Sequence, residues 1–147
     1  MSSNYCVSQD RALILYHLDS DFSANKAAEI FSTIRQTLDM ETTYCELIAF
    51  VPTADMSHIS QGEFTDIIES MKDAYERSGV VRNKTAILAG SNQPLRPMVN
   101  LWVGYCELDT EISTVYRSFI NLEHACDWLD ADRSYIVDFL KSSGEQQ

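Results

Sequence analysis

Asp55, Ser57, His58 and Ser60 lie in one short stretch, and serine, histidine and aspartate are the parts of a hydrolytic triad. That chemistry needs the histidine oriented by its acid and in reach of the serine, which such close neighbours seldom achieve. No G-x-S-x-G elbow accompanies them. Ser60 has a plainer use. With Glu63 it has the spacing of a capping box, flanked by Ile59 and Phe64 as a hydrophobic staple. The stretch therefore reads as a helix start, and no catalytic residue is assigned.

Other reactive residues read the same way. His17 with Asp19 and Asp21 supplies mixed metal donors, but the carboxylates are better read as caps of the next helix, so no metal is assigned. His124 falls on a polar helix face. Cys6, Cys45, Cys106 and Cys126 are scattered among apolar neighbours with no C-x-x-C, as reduced core thiols are. Gly90 and Ser91 form a turn ahead of a helix and are a candidate anion site. The 5 glycines form neither G-x-G-x-x-G nor a P-loop, so no cofactor is expected. Met56, Met71, Met98 and Trp102 are candidate linings for an apolar ligand, with core packing the competing use.

The elements that position these residues alternate between strand and helix. Asn4 to Val7 reads as an edge strand, and Ala12 to Leu18 as a strand covered on both faces. Ser23 caps a helix with Ala27, Ile30, Phe31, Ile34 and Leu38 on one face. Cys45 to Val51 is a buried strand. The helix after Ser60 presents Phe64, Ile67, Ile68, Met71 and Tyr75, and stops at Ser78-Gly79. Thr85 to Ala89 is the next strand. Pro94 opens a helix with Met98, Leu101, Trp102 and Tyr105 on its inner face, though Pro97 leaves its start open. Thr114 to Ile120 is the last strand. Asn121 caps a helix lined by Leu122, Ala125, Cys126 and Leu129, and a final helix carries Tyr135, Ile136, Phe139 and Leu140. The expected fold is a single α/β domain over residues 4–141, with a frayed tail from Ser142 to Gln147. Its four- to five-stranded sheet is mainly parallel, with helices on its faces. Open sheets place ligands where a strand's carboxyl end meets a helix, which singles out the 53–62 loop.

Bulk properties narrow the function. A chain of 147 residues with 45% hydrophobic content is a globular domain. A net charge of −11 repels nucleic-acid backbones and anionic membrane surfaces, and would steer a basic protein partner. No apolar run approaches the roughly 18 residues of a membrane span, and no secretory signal is evident, so a cytoplasmic location is expected.

In its element order from residue 4 to 130, the chain resembles the SpoIIAA-like, or STAS-type, domains. The resemblance rests on the strand-loop-helix from Phe50 to Gly62 and on the closing run Phe119 to Leu129, with its terminal Trp128-Leu129. Anti-sigma-factor antagonists of this type carry an Asp-Ser-Ser-Gly run whose second serine is phosphorylated. Here Ile59-Ser60-Gln61-Gly62 puts Gln61 at that serine and Ile59 at the aspartate, which leaves only Ser60 and puts the phospho-switch in doubt, while the partner surface can stand without it. The resemblance implies a non-enzymatic module that binds a protein through Asp55, Ser57, His58, Ser60, Gln61 and Gly62. Apolar-carrier relatives imply the rival, a small apolar ligand between sheet and helix. A homodimer is also open, through the edge around Tyr5 to Val7 or the helix around Tyr135 to Leu140.

Overall fold

Strands β1 (Asn4–Ser8), β2 (Leu13–Leu18), β3 (Thr43–Phe50), β4 (Val81–Leu88) and β5 (Val115–Phe119) pair in chain order into one sheet. The structure, a computed structural model, describes residues 2–145. β1 runs antiparallel to β2, while β2 through β5 are parallel, so the sheet is mixed with a parallel majority.

Three helices follow from the parallel crossovers: α1 (Ala24–Arg35), α2 (Gln61–Ala74) and α3 (Arg96–Leu108). Because the strand order never reverses, right-handed crossovers bring all three to one face. There they bury Ile14, Tyr16, Ile48 and Ile87. Helices α4 (Leu122–Leu129) and α5 (Arg133–Glu145) cover the other face, over Leu15, Leu47, Ala86 and Leu88. The result is a single α/β domain of three layers. Among the described residues no helix is long and apolar enough to cross a membrane.

Several boundaries differ from the sequence expectation. α2 ends at Ala74, ahead of Ser78-Gly79; Gly79 takes φ +85° in the turn that follows. β4 begins at Val81, because polar Arg82 and Lys84 join the ladder through partners that periodicity does not reveal. α3 buries Val99, Trp102 and Cys106, which turns Leu101 out to 49% exposure. Asp19 and Asp21 do not cap α1. Ser23 does, accepting from the Lys26 N–H, while Asp21 accepts from Ser3 and Asp19 from the Ser20 N–H. Among the described residues no cluster of three or more metal-binding side chains forms. Ser142 to Glu145 continue α5; Gln146 and Gln147 lie outside the described residues.

α5 is seated on the sheet by Ile136, which is fully buried, and by a hydrogen bond between His17 Nδ1 and Ser143 Oγ. Tyr135, Phe139 and Leu140 are partly buried and pack against this core. Burial holds the His17 pKa below its ordinary 6.5, against the opposing pull of Asp19. The unfolded chain then binds more protons in that window, so stability falls as pH drops through about 6.5. Urea titrations from about pH 7.5 to 5.5 are expected to give a shallower decline for His17→Gln. Equal declines in both proteins would remove His17 from this account.

Candidate functional site

The loop after β3 ends between two helix N-termini, and its geometry follows from a series of tethers. Pro52 cannot donate to a ladder, and the chain turns there, with the Ala54 N–H bonded to the Val51 carbonyl at 2.9 Å. The Asp55 N–H donates to Ser20 Oγ at 2.8 Å, and His58 Nε2 donates to the Phe22 carbonyl at 2.7 Å. Both bonds pin the loop to the β2–α1 connection. From the other side, Asn92 Nδ2 donates to the Ala54 carbonyl at 2.9 Å. Gln61 Nε2 donates to the Tyr105 hydroxyl at 3.1 Å, which links α2 to α3. These bonds tether the loop on both sides.

Between this loop and the start of α3 lies an open groove of about 940 Å³. Such a volume suits a small molecule or a short peptide segment. Met56, Ile59, Phe64 and Leu101 give the groove its apolar surface, while Asp55, Ser57, Ser60, Gln61 and Ser91 supply polar groups. The groove lies at the carboxyl ends of β3 and β4, as expected. Its cause differs, because no reversal of strand order opens a crevice there. It is a gap between the first turns of α2 and α3, which touch lower down where the Phe64 ring meets Trp102 and Tyr105.

The structure distributes the expected site residues unevenly. Asp55, Ser57, Ser60 and Gln61 line the groove together with Met56, Met98 and Ser91. Gly62 is exposed in the first turn of α2, and His58 acts as a tether behind the loop. Met71 and Trp102 are core residues, 1% and 2% exposed, with Met71 Sδ accepting from the Tyr116 hydroxyl. The expected apolar ligand space between sheet and helix is therefore occupied by side chains at those two positions. Gly90 takes φ +61° in the turn after β4. No lysine or arginine lines the groove beside Ser91, so the anion site expected at Gly90-Ser91 has no cation there.

The hydrolytic constellation does not assemble. The Ser60 hydroxyl accepts from the Glu63 N–H at 3.1 Å, as an N-cap. Only half of the capping box forms, since Glu63 Oε2 accepts from the Ala24 N–H at 2.8 Å and so ties α2 to α1. His58 spends its Nε2 proton on a carbonyl. The Ser57 N–H, then its hydroxyl, hold the Asp55 carboxyl below the usual range. The thiols are likewise quiet: burial raises the Cys45 pKa and pushes Cys106 up to about 12. Ser60→Ala is expected to cost about 1 kcal/mol through the lost cap. A urea midpoint indistinguishable from wild type would show that the cap contributes nothing.

Leu101 was the groove residue hidden in the sequence. Its signal was the alternative stripe Leu95, Val99, Trp102 and Cys106, all buried, which leaves Leu101 on the open side. Comparison with protein-family models, with curated proteins and with solved structures finds no match to this chain in any of the three.

Proposed function

We propose that this chain is a non-enzymatic, STAS-like binding module that docks a protein segment in the groove between the 53–62 loop and α3. The observation that carries this reading is the pre-tethered loop beside an open, half-apolar groove. A loop already held in its bound shape loses little entropy on binding, which is where a docking surface gains affinity. The mixed lining suits a peptide with apolar anchors and backbone groups that Ser57, Ser60 and Gln61 can meet. The net charge of −11 favours a basic partner. The absence of a serine at Gln61 argues for binding without a phosphorylation switch.

The groove volume also supports a second reading, a small apolar ligand held by Met56, Met98 and Leu101. One experiment separates the two. The tagged protein is recovered from a lysate of its own host, beside Leu101→Glu, Gln61→Ala and the distant surface variant Glu29→Lys. A protein retained by wild type and Glu29→Lys but lost from the groove variants supports the module. An extractable small molecule with the same pattern supports the rival. Identical recoveries from all four proteins would overturn both.

A further inference from the structure

A second cleft, of about 500 Å³, opens on the far side of the β4–α3 turn. Its wall joins three elements: Arg96 and Asn100, one turn apart on α3; Ser118 and Phe119, at the end of β5; and Ile120 with His124, around the start of α4. Its chemistry is the reverse of the surrounding protein. The chain has 22 acidic residues, yet no carboxylate lines this cleft.

Arg96 is the arginine among the residues that line the cleft. Arg82, Arg77, Arg11 and Arg133 each hold a carboxylate, whereas Arg35, Arg96 and Arg117 form no ion pair among the described residues. The Arg96 Nε is enclosed, out of reach of a molecule in the cleft, which leaves the terminal Nη donors for a ligand. A guanidinium presents planar donors that suit an oxyanion. Asn100, Ser118 and His124 offer further polar groups around the same space. Phe119 and the 60% exposed Ile120 add an apolar surface that solvated ions do not need.

We infer that this cleft binds a small organic anion, with its oxyanion head on Arg96 and its apolar body against Phe119 and Ile120. The site is separate from the groove of the proposed docking module and stands without it. The volume fits a molecule of that kind and is too small for a folded partner.

Amide NMR titrations with benzoate, phenyl phosphate and the neutral benzamide test this assignment. Saturable shifts are expected at Asn100, Ser118 and His124 with at least one of the two anions. Benzamide should bind at least about tenfold more weakly. Arg96→Gln should weaken the anion by a similar factor while the rest of the spectrum superimposes on wild type, and Arg96→Lys should retain part of the affinity. Stronger binding of phenyl phosphate identifies a phosphate ligand; stronger binding of benzoate identifies a carboxylate. The assignment is overturned by no saturable shift at these amides up to about 10 mM, by equal binding of benzamide, or by unchanged affinity in Arg96→Gln.

Discussion

Arg82→Met is expected to lower the unfolding free energy by about 3–5 kcal/mol, the usual consequence of leaving a buried charge without its partner. The Arg82 side chain is fully enclosed and donates at 2.7 Å to Glu46, at 2.7 Å to Glu76 and at 2.9 Å to the Tyr116 hydroxyl. Its guanidinium also stacks over the Tyr75 ring, 4.0 Å from the centroid. Burial opposes its charge, but Tyr116, Glu46 and Glu76 outweigh that and hold it above the usual arginine range. Burial likewise keeps the Tyr16, Tyr75 and Tyr116 hydroxyls neutral, and the first two hydrogen-bond to each other. Without Arg82, the Glu46 carboxylate keeps, among the described residues, the Thr85 hydroxyl at 3.0 Å. Domains of this size are stable by about 5–15 kcal/mol, so the single variant stands near the edge of folding.

The double variant Glu46→Leu/Arg82→Met is expected to recover much of that loss, because desolvating both charges opposes their attraction. Glu76, nearer to solvent, can rehydrate. Urea denaturation of the two variants decides the matter. A single variant within about 1 kcal/mol of wild type, or a double variant no better than the single, would contradict this account of the buried pair.

Phe64→Ala is expected to cost about 3–5 kcal/mol, with Phe64→Leu costing less. Phe64 is 4% exposed and meets Trp102 edge to face, with centroids 5.7 Å apart, and Tyr105 at 5.6 Å. The same ring forms part of the groove wall. Its loss removes a large apolar surface and opens a cavity where α2 and α3 touch. Binding measured on Phe64→Ala would therefore mix lost stability with lost contact, whereas exposed Leu101 reports on the groove alone. A thermal or urea midpoint for Phe64→Ala close to that of Phe64→Leu would mean that the cavity collapses.

The bulge that positions Arg82 was not legible in the sequence. Tyr44 pairs with Arg82 and Cys45 with Lys84, which leaves Asn83 as an extra residue. That single insertion turns Arg82 to the same face as Thr85, although residues three apart on a regular strand point oppositely. Nor does spacing along one chain reveal that Glu46, Glu76 and Tyr116 converge on one guanidinium. The groove was half legible. Its loop residues followed from the break at Pro52 and the cap at Ser60, whereas Ser91 and Leu101 come from elements that only packing brings alongside.

The sequence by itself determined the alternation of strands and helices, both sides of the core and the start of α2, because side-chain periodicity and capping are local effects. The antiparallel edge, the helices gathered on one face, the buried Arg82 cluster and both clefts were decided by tertiary structure. Those depend on strand order and on contacts between residues distant in the chain, and local spacing carries no record of either.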